Sequence, residues 1–334
     1  MPSLLENFYQ QSLIILPEFS SFITLLLALG LDKTLGEAKR FHYLVGFGWL
    51  ANIVEKKLNT QHSIKNSKNT SAFKVKLYGA FAWCLLVLPL PVLYYLFVDS
   101  LIGYWQIVID AFVLYLAIGL NSLHQHAMQI YRPLQSDDFK TARHFTGYIV
   151  SRETNKLTKQ EMSRATVESM LENGHDSVIA SLIYFLIGGA PLVILHRFAN
   201  TLDAMWGYKN SRYINFGFAS ARLDDALGFF TGKCCTLLYA LQGLKQGALS
   251  QALLNAYQQG NQYKSHNGGW VMAAGATVMN RKIGGSALYH GKVKHSVTLG
   301  CGKDITVDDI TMSLTVVNRA SFILLVLACV SVII

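Results

Sequence analysis

Charge is what this chain has least of. Only 15% of its 334 residues are charged, against roughly 25% in soluble domains. More than half, 51%, are apolar. That balance excludes an ordinary soluble globule. The five cysteines, Cys84, Cys234, Cys235, Cys301 and Cys329, have no metal-ligand spacing and no disulfide framework, so buried free thiols are expected. No basic residue precedes Leu13 and no small-residue cleavage site is evident, so no cleaved leader is expected. Internal repeats and low-complexity linkers are also missing. One membrane-embedded domain over 1–334 is therefore expected, with no separable modules and no nucleic-acid partner.

Long apolar runs are what the chain has in plenty. Several approach the ~20 residues a helix needs to cross a bilayer. Spans are expected near 13–31, 77–97, 101–120, 178–196 and 314–334, with a weaker candidate at 234–254. Pro17 and Glu18 suit a helix start inside the first window. The fold class is all-α: a polytopic integral membrane protein with helical cytoplasmic segments. From Lys33 to Lys76 nine basic residues face two acids, Glu37 and Glu55. The positive-inside rule places that loop in the cytoplasm, which makes the sequon-like Asn69 uninformative. Spans two and three then form a hairpin with Asp99 at its outer tip, and 121–177 returns to the cytoplasm. A multi-pass protein of the cell (inner) membrane with a cytoplasmic site follows.

Helix signals punctuate the cytoplasmic part. Asp137 and Asp138 precede one helix. Thr158 followed by Glu161 is a capping-box signature for the next. On that helix Arg164, Glu168, Glu172 and Asp176 recur every fourth residue and share a slowly drifting face. Leu241 to Tyr257 reads as an amphipathic helix, Trp270 to Met279 as a helix of small residues, and Asp308 and Asp309 open the last one. Within 178–196, Gly188, Gly189 and Pro191 interrupt the helix near its middle. Two readings stay open. One is an ordinary kinked span. The favoured one is a re-entrant or broken hairpin that keeps both flanking polar clusters on the cytoplasmic side.

Those clusters carry the candidate chemistry, because ionisable groups at a bilayer edge are costly. Glu168, Glu172 and Asp176 could hold Mg²⁺, with Asp203 or Asp224 and Asp225 adding ligands. They could equally pair with Arg164, Lys209, Arg212 or Arg222. Asn200 and Thr201 could cap a helix starting at Leu202. With Asp203 they sit near Lys209, Arg212, Tyr213 and Arg222, a set able to bind anions. His175 beside Asp176 could do acid–base work, though a plain polar loop histidine is the favoured reading. His124 and His126 point to different helix faces. Thr231-Gly232-Lys233 lacks the upstream glycine of a phosphate loop. Trp270 and Tyr289 could stack on a planar ligand or pack in a core.

The run from Glu168 to Asp225 resembles the central signature of the cobinamide-phosphate synthases, the CbiB/CobD membrane proteins of cobalamin biosynthesis. The likeness extends to Ala142-Arg143, to Ile149 through Thr154, and to Asn267-Gly268-Gly269-Trp270 through Gly284-Gly285, Tyr289 and Gly291. Asp32, Gly36, His42 and Gly48 are similar to the first-loop pattern. Ala38, Tyr43, Ser181 and His266 stand where the family usually has proline. The resemblance implies an ATP- and Mg²⁺-dependent amide ligation. It would join (R)-1-aminopropan-2-ol, or its O-phosphate, to a carboxylate of adenosylcobyric acid. Glu168, Glu172, Asp176, Asn200, Asp203 and Asp225 would be catalytic. Glu168, Glu172, Asp176, Asp224 and Asp225 would hold the metal. Arg152, Thr201, Lys209, Arg212, Tyr213, Arg222, Asn267, Trp270 and Tyr289 would contact nucleotide or corrinoid, and Trp206 is a further planar contact. Other late corrinoid-pathway membrane enzymes would be partners beside the lipid bilayer. The alternative is a non-catalytic sensor of the AmpE type on a related scaffold. A transporter ranks last, since Asp110 is the only clear intraspan acid apart from Glu18.

Overall fold

The computed structural model describes residues 4–36, 43–59, 71–98, 103–150, 152–289 and 292–333, with side chains throughout except at 4–18, 287–294 and 332–333. His42, Asn69, Asp99 and Gly291 lie outside the described residues, as do the side chains of Pro17, Glu18 and Tyr289. The chain is built from α1 (Leu4–Leu35), α2 (Tyr43–Leu58), α3 (Ala72–Val87), α4 (Pro89–Val98), α5 (Gly103–Ala117), α6 (Leu120–Gln135), α7 (Phe139–Ile149), α8 (Lys159–Asn173), a π-helical turn at Gly174–Ile179, α9 (Ala180–Trp206), α10 (Phe218–Leu241), α11 (Leu249–Gly260) and α12 (His266–Val278). Five short strands follow, β1 (Arg281–Gly284), β2 (Ala287–Tyr289), β3 (Lys292–Lys294), β4 (Thr298–Gly300) and β5 (Lys303–Asp304), before α13 (Asp309–Ile333).

Four described stretches are long and apolar enough to cross a membrane: Ala72–Val98, Gly103–Gln135, Lys159–Trp206 and Asp309–Ser331. They overlie four of the expected spans, and the protein is a helical membrane protein. The weak candidate at 234–254 is not one helix. It breaks at 242–248, where Gly247 takes a positive φ of 68°. The amphipathic helix expected from Leu241 is correspondingly shorter and begins at Leu249.

The chain gathers into two compact units that interleave along the sequence. The first comprises Met1–Ile118, Ser181–Leu227 and Leu324–Ile334. In it α2 packs on α3 and α1 on α5. Phe47 stacks on Phe198 at 4.1 Å, and Trp206 meets Phe216 edge-on at 5.0 Å. Tyr94 donates to Asp110 at 2.6 Å, so the intraspan acid ties α4 to α5. Phe81, Leu93, Leu96, Trp105 and Phe112 are exposed, as lipid-facing positions on spanning helices should be.

The break in α9 falls at Gly188 and Gly189, whose backbone is non-helical. Gly189 has φ 65° and ψ −163°, a region essentially reserved for glycine. In a straight helix Tyr184 and His196 would be about 18 Å apart along the axis. Their rings instead stack with centroids 5.0 Å apart. The chain doubles back, as the hairpin reading expected. From Val178 the apolar arm reaches Gly188 after only roughly 15 Å of helix, half the bilayer core.

The second unit comprises Gly119–Ala180 and Gly228–Ile323. Asp138 caps α7 through the Thr141 N–H. The capping box on α8 forms as read: the Thr158 hydroxyl accepts from the Glu161 N–H at 3.3 Å, and the Glu161 carboxylate accepts from the Thr158 N–H at 2.8 Å. The small-residue helix α12 is almost wholly buried and packs against α8 and α11. Asn255 donates to Thr277 at 2.9 Å. One small sheet has the order β4-β1-β5, antiparallel on one side of β1 and parallel on the other. Gln259 fastens it to α11 by two bonds to Gly300, and Arg281 pairs with Asp309 at 2.7 Å. Glycine-rich punctuation without periodicity concealed these strands in the sequence.

Candidate functional site

The acid row on α8 lies in the second unit, and its members turn to different partners. Glu168 accepts the Gly284 N–H at 2.7 Å and pairs with Arg152 at 3.3 Å. The Glu172 carboxylate sits against Gly268 in the first turn of α12; a Cβ there would stand 2.5 Å from its Oε1. That places its carboxyl group at a helix N-terminus. Asp176 follows inside the π-helical turn, with Oδ1 2.7 Å from His175 Nδ1. The Nδ1 atom still lacks a well-aligned hydrogen bond, so the pair is a close electrostatic contact between neighbours in sequence. On its other side His175 Nε2 shares a 3.0 Å hydrogen bond with the Thr231 hydroxyl.

The π-helical turn is closely packed at Gly174. A Cβ on Gly174 would stand 2.8 Å from the Tyr239 hydroxyl, which itself donates to Leu171 O at 3.2 Å. π-turns of this kind often mark functional sites. Gly228 gives α10 the same intimacy with α12, since a Cβ would lie 2.8 Å from Asn267 Nδ2. Thr231, His175 and Asn267 are thereby packed at one seam. Beside it, Lys233 Nζ stands over the Trp270 ring, 2.8 Å from its centroid. Burial pulls the Lys233 ammonium down to about 8, while the ring face favours its charged form.

Mg²⁺ needs open carboxylate oxygens. Among the described residues no three His, Cys, Asp or Glu side chains gather as a metal-binding set. Glu168 is already engaged by Gly284 and Arg152, so the described residues offer no three-carboxylate magnesium cage. Asp176 keeps the most open face, with 34% of its side chain exposed against 16% for Glu168.

The other candidates lie in the first unit. Asn200 and Thr201 do not cap a helix at Leu202, because α9 runs on to Trp206. Thr201 donates back to Arg197 O at 2.7 Å. Asn200 instead reaches Asp224 on α10 at 3.4 Å, and Tyr184 donates to Leu227 O at 2.8 Å. Asp203 occupies the last turn of α9, where its carbonyl accepts the Gly207 N–H at 2.7 Å. Lys209, Arg222 and Asp225 are exposed. Arg222 lies over Phe218 at 5.7 Å. Arg212 is committed elsewhere: it grips Glu55 of α2 through two bonds of 3.1 and 2.7 Å. Glu55 is fully buried and also accepts from Asn59, which reaches Arg212 O. That hydrogen bonding holds the Arg212 guanidinium more firmly protonated than usual. Tyr213 packs beside it at 5.0 Å.

Sequence reasoning assigned His175 to a loop and gave Thr231 and Lys233 no role. His175 is 1% exposed and helical. Thr231-Gly232-Lys233 lies within α10, so it is no phosphate loop. The available signal was the spacing of Gly228, Thr231 and Gly232, a small-residue face that admits a close helix neighbour.

A family model described as "CobD/Cbib protein" matches residues 25–317. A Chromobacterium violaceum protein named "Cobalamin biosynthesis protein CobD" is 40% identical over 304 residues, covering 91% of this chain and 94% of the relative. Its namesake in Stutzerimonas stutzeri is 41% identical, covering 85% and 88%. One in Halalkalibacterium halodurans is 34% identical, covering 89% and 92%. No solved structure matches the chain. With the match running through the acid row, the broken hairpin and α12 alike, the chain belongs to the CobD/CbiB family.

Proposed function

We propose that the protein acts in cobalamin biosynthesis as an ATP-dependent acid–amine ligase of the inner membrane. It joins (R)-1-aminopropan-2-ol, or its O-phosphate, to the free carboxylate of adenosylcobyric acid. The near full-length likeness to relatives named for cobalamin biosynthesis carries this reading. No relative described above bears a sensor's name.

The chemistry suits the residues. A carboxylate is a poor electrophile. Transfer of the γ-phosphoryl group of ATP to its oxygen releases ADP and leaves an acyl phosphate. The amine nitrogen attacks the acyl carbon, the carbon–oxygen bond to phosphate breaks, inorganic phosphate leaves, and the nitrogen gives up a proton. Asp176 is the assigned proton acceptor, because it combines an open face with the His175 contact that positions it. His175 is a positioning residue, itself held by Thr231. Asn200 and Asp224 orient a polar group at the end of the hairpin in the first unit. Arg222, Lys209, Asp203 and Asp225 are the remaining candidates there. No step depends on a protein-bound metal. The nucleotide-binding face is assigned to the cytoplasm from the basic loop at 33–76.

The test is amide formation by the detergent-purified full chain with cobyric acid, aminopropanol phosphate, ATP and Mg²⁺, read by mass spectrometry. The expected result is the coupled mass, dependent on ATP. No product with any amine offered would overturn the reading. Full activity in an Asp203→Ala and Asp225→Ala double variant would remove those two from the site.

A further inference from the structure

Lys233, at the α10–α12 seam, has no ion-pair partner among the described residues. Its ammonium lies 2.8 Å from the Trp270 centroid and 5.3 Å from that of Phe229, one turn back on α10. Trp270 is a fixed platform: its indole N–H donates to Asn261 at 2.7 Å, and Tyr257 meets it edge-on. Among the described residues no carboxylate lies within ion-pair distance of Lys233. Burial alone accounts for the lowering of its affinity for a proton, and no charged group adds to it. The titratable groups on the elements packed there are Glu172, His175 and Asp176 from the α8 side, Lys264 and His266 at the start of α12, and Cys234 on α10 itself.

A purely structural side chain here would be better served by methionine or leucine, which fill the same space without a desolvated charge. Holding a cation on an aromatic face, clear of acids, keeps it charged and available for an anion. Asn267, one turn before Trp270 on α12, lies on the same seam, its Nδ2 atom beside Gly228.

We propose that Lys233, braced on Trp270, is the ligand for a phosphate group, and that this group is the phosphate ester of the amine substrate. The assignment of that phosphate to the amine rests on the ligase reading; the phosphate site itself does not. A lipid headgroup would offer the same chemistry, since Phe229 and Phe230 expose apolar surface nearby.

Two measurements separate these cases. The first is binding of inorganic phosphate and of aminopropanol phosphate to the full chain in detergent, followed by ³¹P NMR. Lys233→Met should weaken both by about tenfold or more, as expected for loss of a charge-assisted contact. Lys233→Arg should retain binding. In the unaltered protein affinity should fall as pH rises through about 8, and in Lys233→Arg it should not. A Lys233→Gln variant with an unchanged melting temperature guards against a folding defect. Unaltered binding in Lys233→Met and Lys233→Gln overturns the proposal. The second uses nanodiscs of phosphatidylcholine with or without phosphatidylglycerol. Competition by the anionic lipid that Lys233→Met abolishes would assign the site to a headgroup and overturn the substrate assignment. If phosphate binding needs Lys233 but no amide ever forms, the ligase reading fails and the phosphate site stands. If amide forms equally from phosphorylated and free amine in both proteins, only the present inference fails.

Discussion

Arg212 in the first unit and Lys233 in the second are both half-buried cations beside an aromatic ring, and they have opposite circumstances. Arg212 has a fully buried carboxylate in its fork. Lys233 has a ring face and, among the described residues, no acid within ion-pair distance. A buried ion pair fixes structure, because removing either partner leaves the other stranded. An uncompensated cation contributes little to the fold and keeps its valence for a ligand. The lesson is that basic residues near a site divide by what they already hold. The sequence weighed Arg212 as an anion ligand and passed over Lys233; the contacts show Arg212 holding Glu55 and Lys233 lying over Trp270.

Four experiments would break or sharpen this contrast. The largest effect is expected from Arg212→Ala, which strands the Glu55 carboxylate and should cost about 3–5 kcal/mol. Thermal unfolding in detergent measures it, and a shift no larger than that of a surface substitution would undo the structural reading of Arg212. Next is Asp176→Asn, in the second unit. Amide formation should fall by about a hundredfold or more, with a change in stability of roughly 0.5 kcal/mol at most. A large stability loss would move Asp176 to the structural side. Gly189→Ala forces a side chain into glycine-only backbone and should cost about 1–3 kcal/mol, read from the same melting curves. The smallest effect concerns Lys233 without ligand. Its proton affinity is lowered from 10.5 to about 8. Between those values the unfolded chain binds more protons than the folded one, so stability should rise with pH there. Lys233→Met should flatten that slope, and an unchanged slope would show the ammonium to be freely solvated.

Much of the architecture was legible because it depends on local rules. The apolar helical runs at 77–97, 101–120, 178–196 and 314–334 follow from length and apolarity, and the capping box at Thr158 from a four-residue pattern. Gly188, Gly189 and Pro191 announced a break. Other features were hidden because they depend on distant partners. Glu55 looked like one acid in a basic loop, yet it is the buried anchor of Arg212, 157 residues away. Glu168 and Glu172 looked like metal ligands because their spacing put them on one face. Spacing could not tell that β1 and Arg152 would occupy the Glu168 oxygens. The small sheet was invisible since strands of two to four residues are too short to show a period.

Composition and hydrophobic run length by themselves determined that this is a helical membrane protein, and the glycines and proline near 188–191 left a break there as one of two readings. Those properties follow from bilayer thickness and backbone sterics, which act residue by residue. Only the tertiary structure decided which charged side chains are spent on one another and which remain open, because that depends on the segments folding places within hydrogen-bonding distance.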